Sequence, residues 1–147
     1  MNNLGKKRVL VVEDSVDDVE LIVEALAGYR ETADIDVATD GEEALDYLHR
    51  RGRFSSRAAD DPCLVLLDIK MPKVDGIEVL RRLKADPRTW AIPVVVMTSS
   101  REERDVVETY KLGANSYIVK PLDFVKFTEA VRQVGLYWLL LNQPGAG

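Results

Sequence analysis

The 147-residue chain holds one cysteine and one histidine, has no excess of positive charge, and contains no apolar run near the roughly 20 residues that cross a bilayer. Each shortage removes a class of function. Cys63 alone cannot close an intramolecular disulfide, and its place in the apolar run CLVLL suits a small buried side chain better than a reactive thiol. A chain with one histidine and one cysteine has no ligand set for zinc. His49 falls in a helical segment of mixed polarity, away from every strand end, and reads as a surface residue rather than a catalytic one. The formal net charge of −5 offers no general attraction to nucleic acid or to anionic lipid. The opening MNNLGKKRVLVVEDS lacks a signal-peptide core and cleavage pattern, so the expected compartment is the cytoplasm. Repeats and low-complexity tracts are also missing.

What is present is an ordinary globular balance, with 46% hydrophobic and 31% charged residues, enough for one domain with a sizeable core. Four short, β-branched apolar runs stand out: Arg8–Val12, Cys63–Leu67, Ile92–Met97 and Ser116–Lys120. Apolar residues on successive positions predict strands covered on both faces of a parallel sheet. Asp34–Ala38 alternates and predicts an edge strand. Between these lie segments of helical period, at Val16–Tyr29, Gly41–Arg51, Gly76–Asp86, Arg101–Leu112 and Asp123–Leu141. Five βα units in alternation predict a doubly wound α/β sheet with helices on both faces.

Ligands of such sheets bind in the crevice outside the carboxyl ends of the strands. Those ends hold Glu13 and Asp14 after the first strand, Asp68 after the third, Thr98 and Ser99 after the fourth, and Lys120 with Pro121 after the fifth. Singly, Asp14 could cap a helix and Asp68 could form a turn. Three carboxylates gathered in one crevice oppose one another's ionisation unless a cation intervenes. Oxygen donors without histidine or cysteine favour Mg²⁺. Carboxylate, hydroxyl, ammonium and Mg²⁺ together make a phosphoryl-transfer site, with Asp68 as nucleophile and Lys120 and Thr98 facing the phosphoryl oxygens.

The stretches VVEDS, LLDIKMPKVDG, VVVMTSS and YIVKP, in this order and at these strand ends, resemble those of bacterial response-regulator receiver domains. The resemblance runs from about Arg8 to Val134. It implies a flavodoxin-like (βα)5 fold of strand order 2-1-3-4-5, with residues 1–7 as an N-terminal extension, 8–134 as the receiver and 135–147 as an extension of the last helix and tail. It also implies that Asp68 takes a phosphoryl group from a histidine kinase, and that Asp14, Asp68 and the Lys70 backbone carbonyl bind Mg²⁺ with Glu13 assisting through water. Thr98 and Lys120 would contact the aspartyl phosphate, Lys120–Pro121 would be a cis peptide, and Tyr117 would be a switch aromatic following Thr98. Met71, Pro72 and Gly76 would shape the turn into the third helix. Lys70 departs from the polar residue often found at this position in the family, beside the path of the attacking water.

Two segments exceed what such a fold needs. Arg50–Pro62, with four arginines, is a long connection before the third strand. Tyr137–Leu141 puts five large apolar residues around the whole circumference of a helix, so Tyr137, Trp138 and Leu140 form an expected homodimer interface. Both features resemble single-domain regulators paired with bacterial phytochrome kinases. With only a short tail after the receiver, output is expected through protein contacts rather than a DNA-binding domain. Two rivals remain at this point. A phosphohydrolase of the haloacid-dehalogenase type would place its nucleophile after the first strand in a D-x-D context, which EDSVDD lacks. A pseudo-receiver would have lost the acid or the lysine, and both are here.

Overall fold

The computed structural model describes residues 7–57, 61–71 and 73–143. Pro72, expected in the turn after Asp68, lies outside them, as do residues 58–60 of the long connection. Five parallel strands run in the order β2-β1-β3-β4-β5. They are β1 Lys7–Val12, β2 Ala33–Ala38, β3 Leu64–Leu67, β4 Val94–Thr98 and β5 Ser116–Val119. The helices between and after them are α1 Val16–Ala25, α2 Gly41–Leu48, α3 Gly76–Ala85, α4 Glu103–Leu112 and α5 Phe124–Gly135.

The apolar runs form strands because successive side chains point to opposite faces and both faces are covered. Leu10, Val12, Val65, Leu67, Val94 and Val96 pack with α2 and α3 on one side. Val9, Val11, Leu64, Leu66, Val95 and Met97 pack with α1 and α5 on the other. Each such side chain taken from water contributes roughly 1.5–3 kcal/mol before entropy is counted. Cys63, expected to be buried, is half-buried at the edge of the second cluster.

Four helices start on a side-chain cap. Ser15 accepts from Asp18 N, Asp40 from Glu43 N, Asp75 from Glu78 N, and Asp123 from Val125 N and Lys126 N. These caps satisfy amides that the helix leaves without partners, and they fix where the chain turns out of each strand end. The acidic first turn of α1, Asp17 and Asp18, also suits the positive end of the helix.

Three helices stop well short of the ends their periodicity predicts, α2 among them at Leu48 rather than Arg51. The first stops at Ala25, and Ala27–Tyr29 continues as a single 3-10 turn. The last is α-helical only to Gly135, and Leu136–Leu141 winds as a π-helix. Asn142 N donates to Tyr137 O at 2.6 Å, and Lys7 Nζ reaches across from β1 to Leu139 O at 2.8 Å. The wider turn divides the five apolar residues. Leu139 is buried and Trp138 packs against its own core, so Trp138 leaves the outward set in which it was expected, while Tyr137 and Leu140 stay half exposed. Among the described residues no helix is long and apolar enough to cross a membrane.

Candidate functional site

Parallel pairing sets the ends of β1, β3 and β4 side by side: Val12 lies opposite Leu67, and Leu67 opposite Val96. The chain then leaves each strand at its carboxyl end, which delivers Glu13, Asp14 and Asp68 to one crevice. One carboxylate oxygen from each of these three acids lies within 4.8 Å of the others. Glu13 and Asp68 are buried and Asp14 is exposed. Gly76 makes room for this arrangement. A Cβ there would stand 2.3 Å from Asp68 O and 2.5 Å from Ile69 Cα, so only glycine lets the start of α3 approach the Asp68 backbone.

Lys120, from the end of β5, inserts its ammonium among the acids. Its Nζ is 2.6 Å from Glu13 Oε1, 2.8 Å from Asp18 Oδ2 and 3.1 Å from Asp68 Oδ2. The remaining oxygens are also engaged, Asp68 Oδ1 by Lys70 N at 2.9 Å and Glu13 Oε2 by Ser15 N at 3.2 Å. Burial pushes the Glu13 carboxyl up to about 7, against the pull of Lys120 and with the Asp68 charge adding to the rise. For Lys120, burial opposes the charged form, but the hydrogen bonds to Asp18 and Glu13 and the Asp68 charge outweigh it and hold the ammonium above its ordinary pKa.

Thr98 ends β4 fully buried, its hydroxyl oxygen accepting from Ser100 N at 3.4 Å. Tyr117, half-buried on β5, donates its hydroxyl to Ser100 O at 3.0 Å. Lys70 sends its ammonium to Asp105 Oδ2, 3.2 Å away, and that same oxygen accepts from Ser100 Oγ at 2.6 Å. The Lys120–Pro121 bond is trans, because no described peptide bond is cis. The expected cis form is therefore corrected. Trans is the lower form for X–Pro by about 0.5–1 kcal/mol, and Lys120 reaches Glu13, Asp18 and Asp68 from it.

Glu13, Asp14, Asp68 and Lys120 are thus brought together as their strand-end positions predict. Asp18 is the member that sequence reasoning missed. Its acid reads as a helix-end residue, but a Ser15 cap also turns the third residue of the helix back over the strand end. His49 is only partly exposed and sits 3.7 Å from Asp86, so it is an accessory of the α2–α3 surface. Tyr137 and Leu140 lie on the terminal π-turn, outside this group of acids.

The three acids offer hard oxygen atoms and no nitrogen or sulfur, a donor set that fits a divalent cation such as Mg²⁺ or Mn²⁺. The surplus of negative charge over the single ammonium favours the same occupant. An activated phosphoryl group is the substrate that suits a buried carboxylate flanked by an ammonium and such an ion.

Known proteins agree with this chemistry. A solved structure of the phosphorylated cyanobacterial phytochrome response regulator RcpA has a TM-score of 0.90 at 36% identity, covering 96% of this chain and 99% of its own. Response regulator Rcp1 of Synechocystis is 35% identical over 133 residues, 90% of this chain and 89% of its own. A structure of the Mn²⁺-bound form of Rcp1 matches with a TM-score of 0.89, covering 95% of this chain and 99% of that one. The "Probable methanogenesis regulatory protein FilR2" of Methanothrix harundinacea is 41% identical over 140 residues, 93% of this chain and 87% of its own. The model of the response regulator receiver domain matches residues 9–132, and the chain belongs to that family.

Proposed function

We propose that the chain accepts a phosphoryl group on Asp68 from a phosphohistidine of a sensor histidine kinase in a Mg²⁺-dependent step, and signals through the surface change that follows. One observation carries this reading: Asp68, buried at the end of the central strand, shares Lys120 with Glu13 and stands in a cluster of three acids. In the transfer an Asp68 carboxylate oxygen attacks phosphorus, the phosphorus–nitrogen bond breaks, and its electrons leave with the imidazole, which takes up a proton. Lys120 lies against the attacking carboxylate and balances charge as it gathers on the phosphoryl oxygens. Glu13, Asp14 and Asp68, with the Lys70 carbonyl, would hold Mg²⁺, which when bound supplies further neutralisation of those oxygens. Thr98 donates its hydroxyl to the phosphoryl group, and Tyr117 reports the change through Ser100.

The likeness to regulators named for phytochromes supports a light-sensing kinase as donor. Half-exposed Tyr137 and Leu140 on the terminal π-turn support a homodimer. The compartment consistent with this partner is the cytoplasm.

Incubation with a labelled small phosphodonor and Mg²⁺ tests the central claim. Label is expected on the wild type, none on Asp68→Asn, and little on Asp14→Asn. Label kept by Asp68→Asn would overturn the assignment. Sedimentation of a Tyr137→Ser, Leu140→Ser variant tests the interface, since an unchanged assembly state sinks it.

A further inference from the structure

The ion pair between Lys70 and Asp105 is not used by the transfer chemistry, and it joins the loop after Asp68 to the start of α4. We propose that Asp105 is a positioning residue: with Lys70 and Ser100 it latches the β4–α4 loop in the unphosphorylated arrangement, and a phosphoryl group on Asp68 opens the latch by taking the Lys70 ammonium. The inference rests on Asp68 being the phosphoacceptor.

An acid in the first turn of a helix is favourable without any partner. Asp105 is more committed than that. It is 6% exposed, and one of its oxygens takes both the Ser100 hydroxyl at 2.6 Å and the Lys70 ammonium at 3.2 Å. Ser100 is the hub. Its Oγ also accepts from Glu102 N at 3.3 Å, its N–H donates to Thr98 Oγ1 at 3.4 Å, and its carbonyl accepts from the Tyr117 hydroxyl at 3.0 Å. A movement of Asp105 therefore passes in one step to Ser100 and in a second to Thr98 and Tyr117.

Lys70 supplies the trigger. Its backbone is anchored, since Lys70 N donates to Asp68 Oδ1 at 2.9 Å, while its side chain is half exposed and ends in a mobile point charge. A phosphoryl group brings up to about two negative charges and three acceptor oxygens to Asp68. It outbids a single carboxylate for the ammonium. Asp105 is then a buried acid without its cation, an arrangement that favours moving toward solvent and carrying Ser100 along. By linkage, whatever opens the latch tightens phosphoryl binding by the factor that phosphoryl binding opens the latch.

The test uses beryllofluoride with Mg²⁺ as a phosphoryl mimic, on the full chain and its Asp105→Asn, Lys70→Met and doubly substituted forms. Without mimic, both single variants are expected to move the Ser100 and Tyr117 amide resonances in the direction that the mimic moves them in the wild type. In titrations Asp105→Asn should bind the mimic about five- to tenfold more tightly, a typical coupling between two sites. Lys70→Met opens the latch but loses the cation, so it should stay within about twofold of the wild type, and the double variant should match it. Lys70 is half exposed, so its variant keeps the amide comparison decisive if Asp105→Asn fails to fold. Wild-type affinity in a folded Asp105→Asn, or unmoved Tyr117 and Ser100 amides in Lys70→Met, overturns the latch alone. A wild-type chain that binds no beryllofluoride overturns the phosphoacceptor reading and the release of the latch with it.

Discussion

Two polar clusters flank β1, and they differ in their balance of charge. On the β2 side Asp36 accepts from Arg8 at 3.0 Å and from the Tyr47 hydroxyl at 2.5 Å, while the Arg57 guanidinium lies 4.2 Å over the Tyr47 ring. At the carboxyl ends of the strands, Glu13, Asp18 and Asp68 share one ammonium, with Asp14 close by. In the first cluster the Asp36 charge is met within the chain by Arg8, and the result is a fixed structure that ties α2 to the sheet. In the second, acid exceeds base, a deficit that a divalent cation from outside the chain would make up. Balance marks architecture here, and imbalance marks the proposed reacting site.

The largest effects are expected from neutralising one acid in each cluster. Asp68→Asn is expected to abolish phosphoryl uptake, read with a labelled phosphodonor. Asp36→Asn is expected to keep uptake and to cost about 1–2 kcal/mol in chemical denaturation, the usual loss for a partly exposed, charge-assisted hydrogen bond. Loss of uptake in Asp36→Asn with an intact fold would erase the distinction between the two clusters.

Next in size is a change beside the reacting cluster that touches no charge. Gly76→Ala drives a methyl group to 2.3 Å from Asp68 O. The backbone must shift, so stability should fall by about 1–3 kcal/mol, as for other overpacked sites, and phosphoryl uptake should fall with it. A Cβ at Gly28 would meet no other part of the fold within 4 Å, and Gly28→Ala should stay within about 0.5 kcal/mol of the wild type. Equal losses at both positions would show that the Asp68 backbone tolerates displacement.

How far these features were legible in the sequence follows another divide, between patterns that run along the chain and contacts made across it. The strands were plain because an apolar, β-branched run has one reading when both faces are covered. The acids and Lys120 were plain because the strand ends of an open α/β sheet are few and converge. Asp18 was hidden, since an acid in a first helical turn has a sufficient local explanation. The Ser100–Asp105–Lys70 contacts were hidden too, because they join three segments by loop geometry that leaves no period. Five apolar residues from Tyr137 to Leu141 announced excess surface but not the π-turn that splits it. Within that turn the Leu139 carbonyl accepts from Lys7 Nζ, a residue from the far end of the chain.

Smaller effects come from titrating the surplus of acid. The Glu13 carboxyl sits at about 7 in the folded protein against an ordinary 4.5, so the folded state holds that proton more tightly than the unfolded one. Glu13 therefore imposes no loss below pH 4.5, and stability falls as pH rises toward about 7. Thermal melts of the metal-free protein should drop by several degrees between pH 5 and 7.5, since 1 kcal/mol moves a domain of this size by about 2–4 °C. Mg²⁺ should reverse the drop by favouring the ionised acids, and Glu13→Gln should flatten it. An Mg²⁺-independent melt at pH 7.5 would contradict the charge deficit.

The smallest change tests whether Asp18 belongs to the reacting cluster or only to its helix. Its carboxylate is one of three on Lys120 and is partly exposed, so Asp18→Asn should cost under about 1 kcal/mol. Its effect on Glu13 has a definite sign. With one fewer acid competing for the ammonium, Lys120 stabilises ionised Glu13 more strongly, and the Glu13 carboxyl falls from about 7 toward 4.5. The upper end of the pH window then moves down, and the melts at pH 5 and 7.5 come closer together. If Asp18 served the helix alone, its loss would lower both melts equally and leave their separation unchanged.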